Sequence, residues 1–138
     1  MKSRDTLIRL KRFQVDEKRR RVTQIESMIA DFERMAADLG REIANEEQKA
    51  GISDTGHFAY PTYAKAAATR RDNLRRSAQA LHVQLDEAKA ELGEAFEELK
   101  KVEILDDRER SAERAAENAR DQAAMNEIGL ARMARANY

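Results

Sequence analysis

Apolar residues recur in sevens along most of this chain. In the second half Ala67, Leu74, Leu81, Ala88, Ala95 and Val102 form one row. Ala78, Leu85, Leu92 and Leu99 form another, each four residues after a member of the first. Spacings of four and three in alternation keep one stripe of an α-helix turned toward a partner helix, which is the seam of a coiled coil. The first half carries the same period in Ile8, Val15, Val22, Ile29, Ala36 and Ile43, with Ile25, Phe32 and Leu39 three residues after members of that row. Charged residues fall mostly between the seam positions, on the face left to water.

The pattern predicts a first helix over about 3–50. Ser3 is its expected N-cap, with Asp5 and Thr6 in the first turn. Gly51 is its expected stop, since glycine tolerates the left-handed conformation that follows a helix. Over 51–60 the period vanishes, and Ser53, Asp54, Thr55 and Gly56 are turn chemistry. Pro61 suits the first position of a second helix, where its missing N–H costs nothing. That helix is expected over about 61–135, with Gly93 and Gly129 as its glycines. The expected fold is all-α: one coiled-coil domain over 1–138, with two long helices in an antiparallel hairpin and the second overhanging at the C-terminus.

An antiparallel pair meets so that facing residue numbers have a constant sum. A sum of 110 pairs Ile8 with Val102, Val22 with Ala88, Ile25 with Leu85, Phe32 with Ala78 and Ile43 with Ala67, and it centres the turn on Thr55. Several pairs set large against small, which close packing favours. Charge is a more independent test. Residues 3–26 carry eight Lys/Arg and four Asp/Glu, while the facing 84–107 carry three and nine. Residues 27–50 carry three and six, while the facing 60–83 carry five and one. The fold-back puts opposite blocks together twice. A parallel dimer would set each block beside its own copy, so the blocks disfavour it.

Three charged residues interrupt the seam: Lys11 facing Leu99, Lys18 facing Leu92, and Arg71 facing Leu39. Either their stems cover the leucines while the charges reach water, or they weaken the hairpin where a partner attaches. The first helix can cover the second only to about Arg108. Beyond, Val102, Leu105 and Ala112 imply a three-residue shift of phase that should overwind the coil locally. Ala112, Ala116, Ala119, Ala123, Leu130 and Met133 then form a stripe with no partner in the chain. It is either a tail that is helical by propensity alone or a docking helix for a groove or channel on another protein.

Composition narrows the functions. Charged residues make up 38% and aromatics 5%, with no tryptophan, too few large side chains for a compact core. The formal net charge is +0, so the whole molecule has no strong pull on nucleic acid or acidic lipid. The chain has no cysteine, which excludes disulfides and cysteine metal sites. No apolar run approaches the roughly twenty residues that span a bilayer, and the charged N-terminus lacks the apolar core of a signal peptide. A cytoplasmic protein is expected. His57 and His82 are isolated, the acidic clusters sit on helix exteriors, and the glycines are too scattered for a phosphate loop. The chain is therefore expected not to be an enzyme and to need no cofactor or metal. The run Lys18-Arg19-Arg20-Arg21 lies opposite an acidic block and has no aromatic stacking platform, so nucleic-acid binding is not expected. Phe58, Tyr60 and Tyr63 gather near the hairpin tip, where they either cap the coiled coil or form a contact site.

One further pattern lies near the C-terminus: Ala116-Glu117-Asn118, then Asp121-Gln122, then Met125 and Glu127. It resembles the E-N-x-x-D-Q-x-x-M-D-E pattern of the flagellar export protein FliJ family, with Asn126 in place of the usual acidic residue. Leu7-Ile8-Arg9-Leu10-Lys11 is similar to that family's opening segment. The length and the overhanging hairpin also resemble the family. The resemblance implies a non-enzymatic component of the flagellar type III export apparatus. Such a protein resembles the stalk of rotary ATPases, binds the hexameric export ATPase, touches the membrane export gate protein and escorts substrate chaperones. It implies a cytoplasmic protein, monomeric when free, held at the inner face of the plasma membrane through the apparatus and not by direct membrane insertion. By motif match the ATPase side would hold Glu117, Asp121, Gln122, Met125 and Glu127, with the basic start Arg4, Arg9, Lys11 and Arg12 beside them. The hairpin end would point to the gate. There the first helix is polar, as at Asn45 and Lys49, so Phe58, Tyr60 and Tyr63 stand as the gate-side set. The competing reading is a generic coiled-coil scaffold or chaperone hairpin with unrelated partners.

Overall fold

The computed structural model describes residues 2–49 and 60–136. They form two α-helices, α1 over Lys2–Lys49 and α2 over Tyr60–Ala136, with no strand among the described residues. The two helices pack against each other as an all-α hairpin. Ser3 lies inside α1 and so does not cap it, while Asp5 sits in the first turn, where an acid suits the positive end of the helix dipole. Pro61 falls in the first turn of α2. The N–H groups there have no intrahelical partner in any case. Gly51, the turn residues 53–56 and the fold-back point at Thr55 lie outside the described residues.

The helices contribute to two compact units. The first unit spans 13–96. Its α1 part buries Val15, Val22, Ile25, Ile29, Ala36 and Ile43, and its α2 part buries Ala67, Ala78, Leu81, Leu85, Ala88 and Ala95. Every one of these was placed on a seam by the seven-residue period. At the centre Val22, Ile25 and Ile29 pack with Leu81, Leu85 and Ala88, flanked by Phe32 and Leu92. Ile25 is only 1% exposed; burying such a side chain contributes about 1.5–3 kcal/mol. The helices run antiparallel, because cross-helix polar contacts set Lys18 against Glu91, Glu33 against His82 and Glu42 against Tyr63. As the α1 number rises, the α2 number falls. The sums of these pairs fall on either side of 110, the register expected from the seam.

Gly40 and Gly93 sit within helices in this unit, and a Cβ built at either meets nothing within 4 Å. Glycine in a helix interior costs about 0.8–1.0 kcal/mol relative to alanine. Gly40→Ala with Gly93→Ala is therefore expected to raise stability by up to about 2 kcal/mol, visible as a higher thermal midpoint in circular dichroism.

The second unit joins the first turns of α1, to Arg12, with α2 from Glu97 onward. Its buried residues are Ile8, Leu99 and Asp106. The expected phase shift at Leu105 does not occur. Leu105 is 56% exposed, and Asp106, seven residues after Leu99, is buried in its place. The heptad runs on in phase through a charged residue, because Arg4 on α1 supplies the opposite charge. From 107 to 136 α2 is helical and every residue is exposed, so the helix overhangs its partner as expected.

Candidate functional site

Arg4 and Asp106 lie on the seam rows, Arg4 seven residues before Lys11 and Asp106 seven after Leu99. Helical periodicity thus turns both toward the other helix. The Arg4 side chain is 16% exposed and that of Asp106 10%. The Nε of Arg4 stands 3.5 Å from Oδ1 of Asp106. Both atoms are buried with no hydrogen-bond partner, so this contact is an ion pair only. The two ends of the guanidinium do donate hydrogen bonds: Nη1 to Glu109 at 2.6 Å and Nη2 to Glu113 at 3.1 Å. Arg110 completes the group. Its Nε donates to Oδ2 of Asp106 at 3.0 Å and its Nη2 to Asp5 at 3.1 Å. Burial pulls the Arg4 pKa down, but the bond to Glu109 and the charges of Glu113, Glu109 and Asp106 outweigh it, and the net shift is upward. Arg110 also shifts upward, chiefly through its hydrogen bond to Asp106. Both guanidiniums stay charged.

Two of the seam interruptions, Lys11 and Lys18, are paired across the seam. Each is partly covered, and each sends its Nζ to an exposed carboxylate: Lys11 to Glu98 at 2.9 Å and Lys18 to Glu91 at 3.0 Å. The stem lies on the seam and the charge reaches its edge. The bond from Lys11, then its charge, holds the Glu98 carboxyl below the usual range. Arg71 is similarly half-buried, with Nε 3.4 Å from Asp72.

The basic start therefore divides. Arg4 and Lys11 are engaged within the chain, whereas Arg9 and Arg12 are exposed beside a shallow cleft that also includes Asp5, Ile8, Asp106 and Arg110. Arg4 reaches Glu113, one helical turn before Glu117. The motif residues Glu117, Asp121, Gln122, Met125 and Glu127 are all exposed on the overhang. Gln122 donates to Oδ1 of Asn126 at 3.3 Å. Large apolar side chains accompany them: Met125, Ile128, Leu130 and Met133 are between 51% and 67% exposed.

A family model described as Flagellar FliJ protein matches residues 1–138. The chain belongs to the FliJ family. No curated protein and no solved structure matches it significantly. Membership makes this FliJ-family chain a component of the flagellar export apparatus. At the other end of its helices, the Tyr63 hydroxyl donates to Glu42 at 3.3 Å. Burial, then the Glu42 charge, raises its pKa. Phe58 and the side chain of Tyr60 lie outside the described residues, as does His57. Asn45 and Lys49 are exposed. His82 is exposed and stands 3.5 Å from Glu33. Among the basic run, Lys18 and Arg20 have acidic partners in Glu91 and Glu17. Among the described residues no group of acidic or histidine side chains is arranged to hold a metal ion, and no helix is long and apolar enough to cross a membrane.

The Arg4–Asp106 layer is not apparent from the apolar rows, because it sets a charge on both helices where the other interrupted layers keep a leucine on one side. The signal was there: both positions continue the heptad rows, they face each other at a sum of 110, and their charges are opposite.

Proposed function

We propose that this FliJ-family protein is a non-enzymatic stalk of the flagellar export apparatus. The overhang of α2 enters the ring of the hexameric export ATPase. The hairpin end meets the membrane export gate protein, and the molecule escorts substrate chaperones between them. One observation carries this reading: residues 107–136 form eight turns of helix with every side chain exposed. Four of those side chains are large and apolar. Exposed apolar side chains gathered on one segment mark an interaction surface. A lone helix is narrow, about 10–12 Å across with its side chains, which suits the central opening of a ring. Glu117, Asp121, Gln122, Met125 and Glu127 are the proposed contacts, with Arg9 and Arg12 beside them. Tyr63 and its neighbours Phe58 and Tyr60 are proposed for the gate. Free protein is proposed to be monomeric and cytoplasmic, and to reach the membrane only through the apparatus. The test is co-purification of tagged full-length protein with the export ATPase of the same organism. Retention of the ATPase is expected; its absence from the eluate under conditions where the ATPase is hexameric would overturn the proposal.

A further inference from the structure

The two units hold their helices together by different means. Over 13–96 most seam layers bury aliphatic side chains on both helices. In the unit that contains the first turns of α1, only Ile8 and Leu99 are buried apolar residues, with Val102 half-buried. The other seam positions there are charged: Arg4, Lys11 and Asp106. Arg4 and Asp106 are themselves largely covered, but their other partners Glu109, Glu113 and Arg110, and Glu98 beside Lys11, are at least half exposed, as is Asp5 across the same layer. Apolar burial does not weaken in salt, whereas attraction between exposed charges does. Segments with little apolar burial open locally at lower free energy than a packed core.

We propose that residues 2–12 form an ionic latch. These three turns lift from α2 and return as one piece while 13–96 stays zipped. Closed, the latch covers Leu99 and Val102 and sets Lys11 against Glu98 and Arg4 against Asp106, Glu109 and Glu113. Open, it leaves that acidic, partly apolar face of α2 to a partner helix that presents arginine or lysine at the spacing of Arg4, Ile8 and Lys11. The inference stands apart from which protein the overhang docks into.

The test is hydrogen–deuterium exchange on the full chain at about 0.01 M and about 1 M salt, between which the screening length falls from about 30 Å to about 3 Å. Amides of 7–12 are compared with those of 22–36. Protection of 7–12 is expected to fall about tenfold in high salt, while 22–36 stays as it was. A second arm uses the triple variant Arg4→Leu, Lys11→Leu, Asp106→Leu, which makes the layers apolar; its 7–12 protection is expected to rise and to lose the salt response. Salt-independent protection of 7–12 in the unaltered chain would overturn the latch. So would an equal loss in both segments, or a salt response that survives in the triple variant.

Discussion

Replacing Ile25 by alanine is expected to destabilise the hairpin by about 3 kcal/mol, within the range of about 2–5 found for such truncations. Ile25 is the most buried large side chain of the chain's described residues. It sits among Val22, Ile29, Leu81, Leu85 and Ala88, which belong to two helices and have no other layer to fall back on. Removing three carbons loses their transfer free energy and leaves a void that two backbones fixed by a seven-residue repeat cannot close. The midpoint of urea unfolding, followed by helical circular dichroism, is the readout. Val83→Ala is the matched control. Val83 is 59% exposed, and a surface change of this kind is expected to stay within about 0.5 kcal/mol. Equal losses from the two substitutions would show that Ile25 is not in the core.

Truncation after Asp107 is expected to weaken binding to the export ATPase by about 100-fold or more while leaving the helices paired. Every buried residue among those described lies at or before Asp106, so the 13–96 core keeps all its contacts. The truncated chain does lose Glu109, Arg110 and Glu113, and with them bonds to Arg4 and Asp5. A full-length variant, Leu130→Asp with Met133→Asp, separates the two effects, because both side chains are exposed and distant in sequence from that layer. ATPase affinity is expected to fall by about 100-fold or more in either protein, equivalent to about 2.8 kcal/mol. Unchanged affinity in both would rule out the overhang as the docking element, and it would do so without any question of misfolding.

Sequence alone disclosed the hairpin because a coiled coil writes its contacts into a period. Val22, Ile25, Ile29, Leu81 and Leu85 follow from counting in sevens, and each is buried. The charge blocks gave direction, since antiparallel pairing sets opposite blocks together and a parallel dimer would not. Where α1 begins, counting apolar residues misled. Leu105, three residues after Val102, is a large apolar residue at heptad-like spacing, yet it is exposed, and Asp106 takes the seam. A charged residue is admitted there because Arg4 and Arg110 answer it from two sides. The residues proposed for partner binding are less legible for a physical reason. On an exposed helix face such as 107–136, any polar residue satisfies the fold, so periodicity does not distinguish Glu117 or Gln122 from their neighbours. Their selection rests on the family motif, and on the apolar side chains that the fold leaves uncovered beside them.

The most direct test of intrachain pairing uses the absence of native cysteine. Phe32→Cys and Ala78→Cys are placed in one chain, treated with a short bismaleimide at low protein concentration, and resolved on a denaturing gel. Facing positions within one hairpin are expected to yield a cross-linked monomer of altered mobility, at a rate independent of protein concentration. Predominantly dimeric product, or none under conditions where the thiols react, would contradict a chain that closes on itself.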